Sequence, residues 1–213
     1  MISMKEGFYE KYWSRPEGNL SDFKQKWPVL KNFIPLEKEK VILDFGCGNG
    51  AILREMAILN PEARYIGIDV SGVALEAAKK KLPATVFYKV GDGEKFPLSD
   101  KSIDFVFSSE VLEHVYDIEN ALSELQRVLK PGGKILLTVP YHGFIKNILI
   151  TIFAFNRHFD PAGPHIRFFS KKTLFDLLNK FDFNVIKYGY YGRFYPISHS
   201  IYVLAEKIKQ THD

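Results

Sequence analysis

The stretch that most constrains the fold of this chain is residues 41–53, with the sequence VILDFGCGNGAIL. Val41–Phe45 is a short apolar run, as expected of a strand buried on both faces. Three glycines follow at alternate positions, and a helical pattern then begins: Gly46, Gly48, Gly50, Ala51. Glycine permits positive φ and lets a ligand approach the backbone, while a helix N-terminus favours negative groups. The stretch therefore predicts a strand–turn–helix unit that binds a nucleotide-like ligand.

The remaining sequence alternates between strand and helix patterns. Strands are predicted at 41–45, 64–69, 85–90, 103–107 and 134–139, and helices at 51–59, 71–82 and 117–129. A further helix begins at Ser170, and two β-rich runs at 183–190 and 199–206 follow it without a helix between them. The pattern predicts an α/β fold: a Rossmann-like doubly wound seven-stranded sheet, mostly parallel, with a C-terminal antiparallel hairpin. Ligands of such sheets bind at the carboxyl ends of the strands.

The glycine turn alone leaves two cofactor classes open. Gly46-x-Gly48-x-x-Ala51 satisfies the loose dinucleotide fingerprint, and Asp69 follows it at about the expected 20-residue distance. An oxidoreductase is therefore one interpretation of this turn, and the remaining motifs must decide.

Five motifs appear in order along the chain: Asp44-Phe-Gly-Cys-Gly-Asn-Gly50, Ile68-Asp69, Gly91-Asp92, Asp104-Phe-Val-Phe-Ser-Ser-Glu-Val-Leu-Glu-His114 and Leu129-Lys-Pro-Gly-Gly133. Together they resemble a class I S-adenosylmethionine-dependent methyltransferase of the ubiquinone/menaquinone-methyltransferase-like group, methyltransferase type 11. The resemblance covers roughly residues 40–140. It implies S-adenosylmethionine as cofactor and leaves the acceptor open. Class I methyltransferases end in an antiparallel hairpin, which dinucleotide-binding domains generally lack, so we reject the oxidoreductase.

The resemblance also implies roles for individual residues at the methionine end of the cofactor. The backbone of the glycine turn approaches the amino-acid end, through Gly46, Gly48 and Gly50. Asp44, just before the turn, is expected to face the methionine amino group. Ser109, at the end of the fourth strand, is expected to line the methyl-donor end.

At the adenosine end, Asp69 is positioned to accept hydrogen bonds from both ribose hydroxyls. Its alternative role is that of a helix N-cap or turn aspartate. Asp92 and Gly93 follow the third strand, where Asp92 either accepts from the adenine amino group or closes an ordinary turn. Val70 either contacts the adenosine or packs in the core.

Glu110, Glu113 and His114 form a run with two interpretations. If the run is helical, the three side chains share a face and can hold a divalent cation, with His142 or His165 as a further ligand. Some similar methyltransferases bind metal through such a run. The alternative is that these residues make helix caps and ion pairs, and we expect no metal.

Residues 141–169 interrupt the alternation after the fifth strand and overhang the position where an acceptor approaches the methyl group. Gly143–Phe155 is strongly apolar but too short to span a bilayer. Three interpretations stay open: a lid helix over the active site, a dimer contact, or a helix in transient contact with a membrane surface. Lys146 and Arg157 beside the apolar run support the third. The apolar residues predict a hydrophobic or partly hydrophobic acceptor, and the third interpretation predicts a lipid-linked one.

His142 and His165 are the candidate catalytic residues, as general bases. A base is needed where an oxygen or nitrogen acceptor must lose a proton, and histidine titrates in the useful range. The alternative is that each histidine ties the insertion to the core through hydrogen bonds.

We expect one methyltransferase domain over residues 1–213. Residues 1–40 form an N-terminal helical lid, 41–140 the cofactor-binding core, 141–169 the insertion over the acceptor pocket and 170–213 the C-terminal helix and hairpin. An aromatic cluster, Phe8, Tyr9, Tyr12 and Trp13, either closes the lid or packs on the domain. Pro28 is expected to break the helical stretch from Leu20 to Phe33 and to open a second short helix.

The net charge of +4 is too small and dispersed to indicate a nucleic-acid partner. The single cysteine, Cys47, fits a reducing compartment, and no signal peptide is apparent, so a cytoplasmic protein is expected. The predicted function is methyl transfer from S-adenosylmethionine to a small molecule by a monomer or homodimer. The alternative is a catalytically silent cofactor-binding partner subunit.

Overall fold

The computed structural model describes residues 4–14, 23–159 and 165–208. Its strands are β1 (Val41–Phe45), β2 (Arg64–Asp69), β3 (Val86–Lys89), β4 (Ile103–Ser109), β5 (Leu129–Pro140), β6 (Phe183–Tyr191) and β7 (Ser200–Lys207). They form one seven-stranded sheet in the order β3-β2-β1-β4-β5-β7-β6. Neighbours from β3 to β5 pair in parallel, whereas β7 lies antiparallel between β5 and β6. The predicted fold class is confirmed.

The described residues form eight α-helices. They are α1 (Met4–Trp13), α2 (Phe23–Leu30), α3 (Ala51–Leu59), α4 (Gly72–Lys81), α5 (Ile118–Val128), α6 (Phe144–Phe153), α7 (Phe155–His158) and α8 (Lys171–Lys180). Side-chain caps begin α4 and α8: Ser71 accepts from the Ala74 N–H, and Ser170 accepts from the Thr173 N–H in a capping box. No helix of the described ranges has the length and apolar character needed to cross a membrane.

The central strands are apolar on both faces because each face of the sheet is covered. In β1, Leu43 belongs to one buried cluster and Ile42 to the other. The first cluster includes the apolar face of α5, where Leu122 and Leu125 are fully buried at helical spacing. The second includes Leu53 of α3. This double covering explains why the parallel strands are continuous apolar runs.

Local signals predict the bounds of β1, α3 and β2 as observed and those of most other elements to within two residues, but two elements differ more. Helix α2 continues through Pro28 instead of breaking there, and a 3₁₀ turn at Lys31–Phe33 follows it. Pro28 lies in the last turn of α2, and the carbonyl that loses its partner belongs to exposed Lys24, where water can satisfy it. Strand β5 begins at Leu129 because the predicted turn is a bulge within the β4–β5 pairing.

Candidate active site

A cleft lies at the carboxyl ends of β1, β2 and β4, where the strand order reverses. One cavity of ≈ 410 Å³ extends from the glycine turn to the insertion, with Gly48, Asp69, Ser109, Glu110, His114 and His165 among its lining residues. A second cavity shares Gly46, Asp69 and Val111 with the first and is lined by Val70, Asp92 and Gly93. The two form one elongated cleft. Of the predicted site residues, Asp44, Gly50 and His142 lie outside its walls.

The glycine turn forms a cradle that no larger residue fits. Gly46 and Gly48 have φ angles of 79° and 52°, in the left-handed region that favours glycine. A Cβ atom on Gly48 would lie 2.5 Å from Cζ2 of Trp13, which covers the turn from α1. The Gly46 N–H donates to the Ile68 carbonyl at 2.8 Å and fixes the turn against β2. The backbone of Gly46 and Gly48 therefore forms part of the cavity wall, and the Trp13 ring lies against it.

Asp69 both closes the turn and faces the cleft. Its Oδ2 accepts from the Gly48 N–H at 2.8 Å, and its Oδ1 accepts from the Ser71 N–H at 2.9 Å. Burial raises the pKa of Asp69 above its ordinary value, and these two N–H groups oppose the shift. Each carboxylate oxygen has a second lone pair, so the turn contacts leave acceptor capacity for ribose hydroxyls.

Asp44 lies at the end of β1, buried beneath the cleft. Burial, and next the charge of Asp69, raises its pKa to about 8, whereas Lys26 acts in the opposite direction. Lys26, on α2, is only 7% exposed and lines the cavity beside Gly48. This carboxyl–ammonium pair matches the charges of an amino-acid zwitterion. Lys26 is not among the site residues predicted from the sequence. The pattern that could have indicated it is its spacing of four residues from Leu30, a core residue, which places both on one face of the helix.

Asp92 bridges two loops at the other end of the cleft. Its carboxylate accepts from the backbone N–H groups of Tyr116, at 2.6 Å, and Asp117, at 2.9 Å. It thereby holds the loop after β3 against the start of α5. Asp92 and Gly93 remain part of the cleft wall, so the turn role and the ligand role are compatible.

Glu110 is not part of a helix, so the proposed shared face with Glu113 and His114 does not form. Its φ is 57°, which is uncommon for a residue with a side chain. Its Oε1 accepts from Thr138 Oγ1 at 2.8 Å and from the Tyr191 hydroxyl at 3.0 Å. Thr138 also lies 3.0 Å from Ser109 Oγ. This polar network forms the floor of the cleft at the predicted methyl-donor end.

Glu113, His114 and His165 come together instead. Their candidate ligand atoms all lie within 4.8 Å of one another, and the two imidazole rings are 4.8 Å apart. Glu113 and His114 belong to a 3₁₀ turn, and the Glu113 carbonyl accepts from the Ile166 N–H at 3.0 Å. Two atoms bonded to one ion at about 2.1 Å can be at most about 4.2 Å apart. Glu113 Oε1 and His114 Nε2, 3.7 Å apart, already lie within this limit. The three residues therefore form a candidate cation site, and the expectation of no metal stays a prediction.

The two candidate bases have different surroundings. His165 lines the cavity, and burial followed by the charge of His158 lowers its pKa. His142 is buried between the rings of His158 and Phe168, and its Nδ1 lies 3.2 Å from Asn147 Oδ1. Burial lowers the pKa of His142 to about 4. These contacts favour the packing role for His142 and leave His165 as the histidine that a ligand can reach.

Helix α1 covers the cleft with its aromatic side chains and is anchored by Glu10. The Glu10 carboxylate accepts from Ser71 Oγ and from the Gly72 and Val73 N–H groups, each at 2.9 Å. Partial burial acts to raise the pKa of Glu10, but the hydrogen bonds from Val73 and Gly72 outweigh it and lower the pKa to about 2. The anchor lies on the same turn that Asp69 organises.

Comparison with known proteins identifies the core. Residues 43–137 match the family model described as a methyltransferase domain, and this range contains the glycine turn, Asp69 and Ser109. This match identifies residues 43–137 as a methyltransferase domain. The cofactor of this family and fold is S-adenosylmethionine, and the glycine cradle and the Asp44–Lys26 pair fit its amino-acid end.

Two curated methyltransferases show how far the likeness extends. Malonyl-[acyl-carrier protein] O-methyltransferase of Yersinia pestis is 35% identical over 108 residues, which are 51% of this chain and 39% of that protein. Demethylmenaquinone methyltransferase of Symbiobacterium thermophilum is 30% identical over 126 residues, 56% of this chain and 50% of that protein. The chain thus spans half or less of these relatives. Their different acceptors give no single expectation for the methyltransferase domain described here.

A solved structure matches nearly the whole chain. It is a chain of the complex between the Haloferax volcanii Trm112 methyltransferase activator and a methyltransferase, with a TM-score of 0.76 and 18% identity. The match covers 94% of this chain and 97% of that chain. At this identity the likeness shows the fold, including the parts outside residues 43–137.

Proposed function

We propose that the protein transfers a methyl group from S-adenosylmethionine to a hydrophobic small molecule. The main supporting observation is the single cleft that begins at the glycine turn and Asp69 and continues to Glu110 and His165. A cleft of this kind has room for a donor and an acceptor in sequence. Holding the two reactants in line supplies much of the rate enhancement of a displacement reaction.

The cofactor would be held by residues along this cleft. Asp69 accepts from the ribose hydroxyls, and Asp92 with Gly93 borders the adenine, beside Val70. Lys26, in the cavity wall, would bind the carboxylate of the methionine end, and Asp44, beneath the wall, would attract its amino group. The opposite charges of Asp44 and Lys26 would favour one orientation of this zwitterion, with Ser109 at the methyl-donor end.

S-adenosylmethionine supplies an electrophilic methyl group bonded to a sulfonium. The residues of this chain position the acceptor, exclude water and remove a proton. His165 is the proposed base. Its lowered pKa keeps the imidazole neutral at neutral pH, so one ring nitrogen can accept the proton that an oxygen or nitrogen acceptor loses. The aromatic side chains of α1 cover the cleft and limit the entry of water, which is the lid role expected of the N-terminal segment.

The hydrophobic character of the acceptor is inferred from the insertion that follows β5. His165 belongs to it, and so does α6, an apolar helix. An apolar acceptor that enters beside this segment would meet apolar side chains before it reaches the methyl group. We expect the protein to act in the cytoplasm, as a monomer or homodimer, and without nucleic acid.

The test is transfer of label from methyl-labelled S-adenosylmethionine in an extract of the source cells. Separation into organic, aqueous and macromolecular fractions identifies the class of acceptor. Label in the organic fraction is the expected result. Label confined to the aqueous fraction would remove the hydrophobic acceptor but keep the enzyme. Cofactor binding with no label in any fraction would favour the silent partner subunit, which the methyltransferase relatives do not support.

A further inference from the structure

Helix α6 is apolar and has no buried residue. Phe144 is 81% exposed, Phe153 79% and Ile152 64%. A globular helix ordinarily buries its apolar stripe against the core, as α5 does with Leu122 and Leu125. A contiguous apolar surface of this kind marks an interaction site.

The loop between β6 and β7 extends this surface. Phe194 and Tyr195 in the loop are exposed aromatic residues. The Lys146 ammonium of α6 donates to the carbonyls of Ser198, at 3.0 Å, and His199, at 3.1 Å, and so fixes α6 against the loop. We name α6 together with residues 193–195 the apolar face.

The chain segments that contain the apolar face carry only basic charges. Residues 141–159 and 183–205, which contain the face, include no aspartate or glutamate, whereas Lys146, Arg157 and Arg193 are basic. Arg193 is exposed at the edge of the face. Pairing of two copies through this face would bring the basic residues of both copies together. A surface that carries negative charge above an apolar interior complements the face better.

The length of α6 also fits such a surface. Ten residues span about 15 Å, half the thickness of a bilayer core, so the helix can lie along the interface but cannot cross it. We propose that the apolar face docks on an anionic lipid bilayer, with α6 in the headgroup region. The purpose of the docking, delivery of a lipid-linked acceptor, rests on the proposed function. The binding to the bilayer does not, because it requires no turnover.

The experiment is sedimentation of the full chain with vesicles of phosphatidylcholine alone or mixed with phosphatidylglycerol. The expected result is binding at least tenfold tighter to the anionic vesicles. Ile152→Ser should weaken binding about tenfold, because its buried methylene groups are lost from the interface. Ile58→Ser is the matched control, since Ile58 is 63% exposed on α3. Arg193→Ala should weaken binding to anionic vesicles about fivefold and leave neutral vesicles unaffected.

Thermal unfolding and S-adenosylhomocysteine binding, measured on each variant, separate loss of docking from loss of fold. Equal affinity for both vesicle types, no binding to either, or equal effects of Ile152→Ser and Ile58→Ser would overturn the proposal. Sedimentation velocity tests whether a second copy of the chain occupies the apolar face instead. A dimer that dissociates in Ile152→Ser would assign the face to that second copy. If docking fails while label transfer succeeds in the extract, the proposed function stands without it.

Discussion

Replacing Lys26 with methionine removes a buried ammonium group from the cleft wall while keeping most of the side-chain volume. In our account this group binds the carboxylate at the methionine end of the cofactor. A hydrogen bond to a charged group contributes about 1.5–3 kcal/mol, and a factor of ten corresponds to about 1.4 kcal/mol. Lys26→Met should therefore weaken S-adenosylhomocysteine binding about 10- to 150-fold.

Isothermal titration with two ligands makes this test specific. 5′-Methylthioadenosine has the adenosine and the sulfur but lacks the amino-acid groups, so its affinity should not change in Lys26→Met. Lys24→Met is the matched control, since Lys24 is an exposed residue of the same helix. Unchanged binding of S-adenosylhomocysteine, or an equal loss for both ligands, would refute the assignment of Lys26 to the carboxylate.

Four further predictions address other residues of the cleft. Asp69→Ala should abolish measurable S-adenosylhomocysteine binding in titration with the fold kept; unchanged affinity would remove Asp69 from the site. Because the pKa of Asp44 is about 8 in the free protein and a cofactor ammonium favours its ionised form, binding below pH 8 releases a proton. Affinity should rise about tenfold per pH unit from pH 6 and level off near pH 8; an Asp44→Asn variant with the same pH profile would contradict this. Glu10→Gln should release α1 and raise the dissociation rate of S-adenosylhomocysteine several-fold in stopped-flow measurements, whereas an unaltered rate would mean that α1 does not retain the cofactor. His165→Ala should lower turnover about 10²- to 10⁴-fold with cofactor affinity retained, whereas His142→Ala should mainly lower the melting temperature; the reverse pattern would exchange their roles.

Local sequence signals predict the part of the fold that holds the cofactor. The apolar run of β1, the glycine turn and the start of α3 are encoded within 13 consecutive residues, 41–53, so their geometry follows from neighbouring residues. The cap at Ser71 and the apolar stripe of α5 are local in the same sense. These elements also place Asp69 at the cleft, because the carboxyl ends of parallel strands meet at one edge.

The acceptor side could not be predicted in the same way, because it depends on contacts between distant segments. The positive φ of Glu110 accompanies hydrogen bonds to Thr138 and Tyr191, which belong to other strands. His142 and His165 look alike in sequence, and only the packing of the insertion buries one and exposes the other to the cleft. Lys26 becomes a site residue because α2 packs through Leu30 on the buried cluster that contains Ile42 of β1, which no local pattern encodes.

The most direct test of the central claim is methyl transfer by the wild-type chain, Asp69→Ala and His165→Ala in the same extract. We expect labelled product in the organic fraction with the wild type and at most a trace with either variant, although His165→Ala still binds S-adenosylhomocysteine. Equal labelling by all three proteins would contradict the claim that this cleft binds the cofactor and acts on the acceptor.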